Sequence, residues 1–288
     1  MSMKVGFVGL GVMGRPMVGH LLAAGFDVAV WARRAEAAAP LAAAGATVCA
    51  SPAELAARSA VVVSIVTASA DVEQLAFGPG GLAEGFAPGA IHVDMSTIAP
   101  AMARSLAARH AECGVGWLDA PVSGGEQGAR EATLAIMAGG EAEVLERVRP
   151  LLAALGRSVV HVGPAGAGQV AKACNQMIMV AAIEACAEAM HLARAHGVDL
   201  AAVRQALLGG SAASRVLEVM GARMVARDFA AGIEARLHHK DFAIVLDEAA
   251  RLGVPLPVAA QVAQQLNALM ARGWGRDDTA SLLRVLEG

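Results

Sequence analysis

The chain has 288 residues, enough for two domains, and a formal net charge of −3 at pH 7, with 3% aromatic residues and no tyrosine. That composition suits a soluble α/β protein whose helices pack closely through small side chains. No basic stretch is long enough for a nucleic-acid footprint, and Cys49, Cys113, Cys174 and Cys186 are too scattered for a disulfide framework or a zinc site.

The first residues run directly into a strand, with no signal-peptide pattern. The expectation is a cytoplasmic protein with reduced, mostly buried thiols, no metal, and no membrane or nucleic-acid partner. In chain order, short apolar runs at residues 5–8, 28–31, 61–66, 91–93, 115–118, 134–137 and 159–162 predict strands. Between them, amphipathic stretches at 13–24, 35–44, 100–111 and 141–154 predict helices. Strand and helix in alternation mean βαβ units and a mostly parallel sheet.

The character changes at Gly163-Pro164-Ala165-Gly166. Residues 168–195 read as one long helix, stopped by His196-Gly197, and further helices are expected at 200–208, 214–225, 239–252 and 258–272. The expected organisation is a Rossmann-type dinucleotide-binding domain over residues 1–163. An all-helical domain for substrate and oligomer contacts follows over 164–288. Glu184, Glu188 and Arg194 on the long helix argue for a buried helix rather than a membrane span. A helix so apolar must be covered on most sides, by domain packing or by oligomerisation.

Gly9-Leu10-Gly11-Val12-Met13-Gly14 follows the first strand and opens the first helix. In that context G-x-G-x-x-G marks a dinucleotide site. Gly9 permits the turn, Gly11 lets backbone approach the pyrophosphate, and Gly14 lets helix and strand pack closely. The phosphates rest on free N–H groups at the helix start. An NAD site usually carries Asp or Glu at the end of the second strand. Here the run is Val30-Trp31-Ala32-Arg33-Arg34, and Asp27 comes too early. Two guanidiniums suit a 2′-phosphate, so NADP(H) is expected over NAD(H). The plain alternative is a pair of solvated arginines at a helix start.

Ser96 and Thr97 end another run and can contact the cofactor ribose or the substrate, or cap the helix near Pro100. Ser123-Gly124-Gly125 can present successive N–H groups to a carboxylate, or serve only as a turn. Lys172 lies on the long helix among small apolar residues, with Gly168, Asn175 and Gln176 on its face. Burial would lower the ammonium's pKa and fit it to protonate a carbonyl oxygen. A lysine snorkelling to solvent is the alternative. His238 and His239 lack a third ligand at convincing spacing and are expected to pack or face solvent.

Together these segments, with Asp94-Met95-Ser96-Thr97, Asp119-Ala120-Pro121-Val122, Gly166-x-Gly168-x-x-x-Lys172-x-x-Asn175 and Lys240-Asp241, resemble the β-hydroxyacid dehydrogenase family over essentially the whole chain. The resemblance implies that Lys172 is catalytic. It places Ser123, Gly124, Gly125 and Asn175 on substrate, and Thr97 and Lys240 on cofactor. It also implies a homodimer or homotetramer acting on a small carboxylate-bearing aldehyde or hydroxyacid. Gln176 stands where the family often has a second Asn, and Lys-x-x-Asn-Gln resembles the branch that reduces tartronate semialdehyde (2-hydroxy-3-oxopropionate) to glycerate. Thr67 stands where many members have Pro. The resemblance keeps 3-hydroxyisobutyrate dehydrogenase and glyoxylate or succinic semialdehyde reductase activities as alternatives. Imine reductases share the fold but generally replace the lysine.

Overall fold

In a computed structural model, residues 3–288 are described, and they divide into two compact units, one running to Lys172 and the other Ala173–Gly288. The first holds nine strands: β1 (Lys4–Val8), β2 (Asp27–Trp31), β3 (Thr47–Val48), β4 (Val61–Ser64), β5 (Ile91–Asp94), β6 (Gly116–Asp119), β7 (Val122–Ser123), β8 (Leu134–Gly140) and β9 (Gly156–Gly163). Its helices are α1 (Gly14–Ala23), α2 (Ala39–Ala43), α3 (Pro52–Ala57), α4 (Ser69–Phe77), α5 (Pro100–Glu112), α6 (Gly125–Arg130) and α7 (Ala142–Ala153). Helix α8 (Ala167–Ala195) begins in this unit and continues into the second. There it is followed by α9 (Leu200–Leu208), α10 (Arg215–Ala226), α11 (Ala235–Leu252), α12 (Pro257–Ala271) and α13 (Leu282–Glu287).

Strands run in the order β3-β2-β1-β4-β5-β6, all parallel, the arrangement of a doubly wound dinucleotide fold. Val5, Phe7, Val28, Val30, Val61 and Val63 share a fully buried face with Met17, Val18 and Leu21 of α1. Val8, Val62 and Ala29 pack on the other face with Leu55 and Ala56 of α3. Coverage on both faces explains why these strands read as unbroken valine runs. Beyond β6 the sheet turns antiparallel. β6 and β7 act as one strand interrupted at Ala120-Pro121, and both pair with β8. Pro121 cannot donate to a ladder, but its carbonyl accepts from the Met137 amide at 3.0 Å.

The second unit is helical. Val180, Ile183, Ala187 and Met190 form a stripe at spacings of three and four along α8. They join a core with Phe242 and Val245 of α11, Val262, Leu266 and Leu269 of α12, and Met224 of α10. Among the described residues, α8 is the one helix long and apolar enough by composition to cross a bilayer.

Several elements differ from the expectations. β3 and β7 are two residues each, too short for periodicity to reveal. The predicted helix at 35–44 is a 3₁₀ turn at Ala35–Ala37 followed by α2, because Pro40 lacks the N–H that a continuous helix needs. Helix α11 starts four residues earlier than residue 239. Its first amides are taken by distant carbonyls, Ala235 N on Asp277 O and Arg236 N on Gly275 O, both at 2.9 Å. Of the four thiols only Cys49 is buried. Cys113 and Cys174 are exposed, at the end of α5 and on the outer side of α8.

Candidate active site

The glycine loop after β1 has the geometry its spacing suggests. Gly9 sits at φ +102°, and a Cβ there would stand 2.0 Å from the Ile65 carbonyl oxygen. A Cβ on Gly14 would stand 1.9 Å from the Gly9 carbonyl oxygen, so α1 can begin there only with glycine. A Cβ on Gly11 meets nothing within 4 Å. Gly11 faces open space, the room a dinucleotide backbone needs.

That space is a groove of about 550 Å³, lined by Gly9, Leu10, Gly11, Arg33, Arg34 and Thr67 among others. Arg33 is 83% exposed and only loosely paired with Asp71, at 3.9 Å. A surface pair of that kind holds its guanidinium weakly, so it is free to meet an anion. No carboxylate follows β2 before the arginines. Val12 and Met13 complete the loop, Val12 exposed and Met13 half-buried.

A second cluster of the same unit surrounds Lys172. The side chain is buried, and Nζ donates to the Val122 carbonyl at 2.8 Å. The ammonium therefore lies beside the residue that leads into Ser123, Gly124 and Gly125. Gly124 and Gly125 both have positive φ, +135° and +60°, and Gly125 starts α6. Ser123 remains in β7, paired with Ala135.

Two side chains that sequence reasoning gave no role hold this cluster. Asp119, at the end of β6, accepts from Gly166 N at 2.7 Å and Gln169 N at 3.0 Å, satisfying amides at the start of α8. Burial outweighs these bonds and the nearby Asp94 adds to it, so the Asp119 carboxyl is pushed up to about 6. Gln169 is also buried. It donates to Ser96 O at 2.8 Å and accepts from Ile98 N at 3.1 Å, gripping the backbone on both sides of Thr97. Thr97 and Lys172 are thus tied to one turn of helix. The carboxylate ending the apolar run Trp117-Leu118-Asp119 was the available signal for Asp119; Gln169 had none.

Ser96 does not cap α5, whose N-cap is Ala99, and its hydroxyl is engaged within the chain. It is buried, donates to Asp94 Oδ1 at 2.7 Å and accepts from Val66 N at 2.8 Å. Asp94 also binds Ser64, which meets His92, and His92 meets His110. Burial holds both imidazoles neutral, His110 at about 4 and His92 well below the usual range. This polar chain braces the ends of β4 and β5 beneath the loop carrying Thr97.

In the helical unit, Asn175 Nδ2 donates to Gln176 Oε1 at 2.9 Å, and Gln176 Nε2 donates to Asp241 Oδ2 at 2.5 Å. Lys240 Nζ lies 2.9 Å from Asp241 Oδ1. The expected substrate residue Asn175 and the expected cofactor residue Lys240 therefore belong to one cluster. His238 is buried against Thr279, and His239 meets Asn267 at an exposed position. No group of His, Cys, Asp and Glu suited to a metal occurs among the described residues.

A doubly wound sheet with this loop and groove defines a dinucleotide-dependent oxidoreductase. Residues 4–163 match the family model for the NAD-binding domain of 6-phosphogluconate dehydrogenase. Residues 166–286 match the family model described as NAD-binding of NADP-dependent 3-hydroxyisobutyrate dehydrogenase. The chain is 41% identical to 2-hydroxy-3-oxopropionate reductase of Escherichia coli, across 99% of this chain and 97% of that one. It is 37% identical to the NAD-dependent L-serine dehydrogenase of Pseudomonas aeruginosa, across 99% and 98%. The Mycobacterium tuberculosis 3-hydroxyisobutyrate dehydrogenase solved with L-serine superposes with a TM-score of 0.91 at 31% identity, covering all of both chains. The chain belongs to the β-hydroxyacid dehydrogenase family, NAD(P)-dependent enzymes that act on the CH–OH group of small hydroxyacids.

Proposed function

We propose that the protein is an NADP(H)-preferring reductase of a small carboxylate-bearing aldehyde, 2-hydroxy-3-oxopropionate, which it converts to glycerate. The observation that carries this reading is the buried Lys172 ammonium, held against Val122 O next to the Ser123–Gly124–Gly125 turn. The similarity to the E. coli reductase supports the choice of aldehyde.

In this reading residues 1–163 bind the dinucleotide and 164–288 serve substrate and oligomer contacts. The loop from Gly9 to Gly14 holds the pyrophosphate, Arg33 and Arg34 hold the 2′-phosphate, and Thr97 and Lys240 complete the cofactor contacts. When bound, the reduced nicotinamide supplies a hydride equivalent to the carbonyl carbon. Backbone N–H groups of the Ser123–Gly125 turn bind the substrate carboxylate. Lys172 stabilises the carbonyl oxygen as its π electrons become a lone pair, then gives that oxygen a proton. Asn175, three residues along the same helix, orients the substrate. Ile178 and Leu192 of α8 are 67% and 61% exposed, which favours a homodimer or homotetramer.

The test is NADPH consumption with a panel of small aldehydes, together with NAD(P)⁺ reduction by 3-hydroxyisobutyrate and L-serine. The highest kcat/KM is expected for 2-hydroxy-3-oxopropionate with NADPH. Glyoxylate, succinic semialdehyde or 3-hydroxyisobutyrate ranking first would replace the substrate assignment. Replacing Arg33 and Arg34 by Ala should raise the KM for NADPH by one to two orders of magnitude, roughly the worth of two charge-assisted contacts, and leave NADH little changed. An enzyme that already prefers NADH would overturn the role of these arginines.

A further inference from the structure

The cluster in the helical unit contains a directional argument. A carboxylate can only accept hydrogen bonds. Asp241 faces Gln176 through Oδ2, and its other oxygen faces the Lys240 ammonium. Gln176 must therefore turn its NH₂ toward Asp241 and its Oε1 toward Asn175. Asn175 must in turn offer Nδ2 to Gln176, which directs its own Oδ1 away from that contact. Both Gln176 and Asp241 are buried, so the order is not scrambled by water. An amide whose two ends are otherwise close to interchangeable is given one orientation by a charge two side chains away.

We propose that Asp241 and Gln176 are positioning residues that fix Asn175 as a hydrogen-bond acceptor for a hydroxyl on the substrate, and so select aldehydes bearing a 2-hydroxyl group. This rests on the reading that Asn175 meets the substrate. The carbonyl and carboxylate oxygens of such a substrate are acceptors and have no use for Oδ1. The 2-hydroxyl of 2-hydroxy-3-oxopropionate is its one donor. A site built to bond a hydroxyl discriminates against an analogue that lacks it, because the acceptor, here on the half-buried Asn175, then loses its partner. Gln176 is suited to the task by length: it reaches both Asn175 and Asp241, on α8 and α11.

The experiment measures the ratio of kcat/KM for 2-hydroxy-3-oxopropionate to that for 3-oxopropanoate, with NADPH and the full-length enzyme. Both substrates are assayed on one preparation, so the ratio does not depend on how much of a variant folds. Gln176→Met removes both bonds, and Gln176→Asn keeps an amide that is one methylene too short to bridge. Each is expected to lower the ratio about ten-fold, the worth of one hydrogen bond to a neutral donor. Asp241→Asn, which can still accept but no longer enforces the order, should lower it less. Asn175→Ala serves as the reference. If Asn175→Ala collapses the ratio while both Gln176 variants keep it within two-fold, Asn175 meets the substrate but the relay is wrong. A ratio unmoved by Asn175→Ala would sink the underlying site reading itself. An equal loss on both substrates in the Gln176 variants would also overturn the proposal, because it would mean the relay orients something other than the substrate hydroxyl.

Discussion

The two units bury carboxylates to different effect. In the sheet unit Asp94 and Asp119 each accept hydrogen bonds from groups that carry or flank site residues. The helical unit contains both kinds of case. Asp241 is paired with Lys240 and Gln176, whereas Glu184, 5% exposed on α8, has no hydrogen-bond partner on either oxygen among the described residues. Buried carboxylates that organise backbone or side-chain dipoles return the cost of their desolvation as geometry. Glu184 organises nothing visible within the chain, so its burial is a plain cost. The contrast predicts that perturbing the first group changes catalysis, and perturbing the second changes stability.

The largest effect should come from Lys172→Ala. Losing a positioned proton donor lowers turnover by roughly 10²- to 10⁴-fold. NADPH binding, followed by tryptophan fluorescence, should stay near wild type. A variant with near-normal turnover would reduce the order around Lys172 to packing. Gly11 and Gly14 sharpen the same comparison within the loop. Gly11→Val adds a side chain to open space, so the apo protein should melt as wild type does but gain no stability from NADPH. Gly14→Val drives carbon into the Gly9 carbonyl and should fail at folding itself. A Gly11→Val variant that NADPH still stabilises as it does wild type would mean the groove is not where the cofactor lies.

Asp119→Asn tests the organising role directly. An asparagine oxygen can still accept one amide of α8, but its NH₂ cannot accept the other. We expect kcat to fall about ten-fold, the worth of one charge-assisted bond, with KM for NADPH little changed. The wild-type carboxyl is pushed up to about 6 by burial, so its acceptor pair weakens as pH drops through that value. The wild-type profile should show an acid limb near pH 6 that the asparagine variant lacks. A limb that persists unchanged belongs to another group.

What the sequence revealed follows from how local each feature is. Gly9–Gly14 and Arg33–Arg34 are readable because a turn and a strand end are set by neighbours a few residues apart. Lys172 stands out as a charge on an apolar helix. Its supports do not, because their partners are remote: Asp119 meets Gly166 across 47 residues, and Gln176 meets Asp241 across 65. The same holds for the start of α11, set by carbonyls of the 275–277 segment. Ser96 was ambiguous because a hydroxyl at a strand end is as suited to bracing a loop as to binding a ribose. Only burial against Asp94 separates the two.

The smallest effect on catalysis is expected at Glu184, which bears on stability instead. Burial, with Glu188 adding repulsion, pushes its carboxyl up to about 7 from an ordinary 4.5. The folded chain then holds a proton that the unfolded chain has released between those values. Stability contributed by this group is intact below about pH 4.5 and is lost as pH rises to 7. Glu184→Gln keeps the shape and removes the titration. The variant should match wild type at pH 4.5 and exceed it by up to about 3 kcal/mol above pH 7, the shift converted at 1.36 kcal/mol per unit. The measurement is urea unfolding of both proteins across that range. The difference between them matters rather than either curve, because the buried neutral pair His92 and His110 pulls stability the opposite way, lowering it as pH falls below about 6.5. A difference that stays flat with pH would mean Glu184 is partnered in solution, and the contrast with the organising carboxylates would then close.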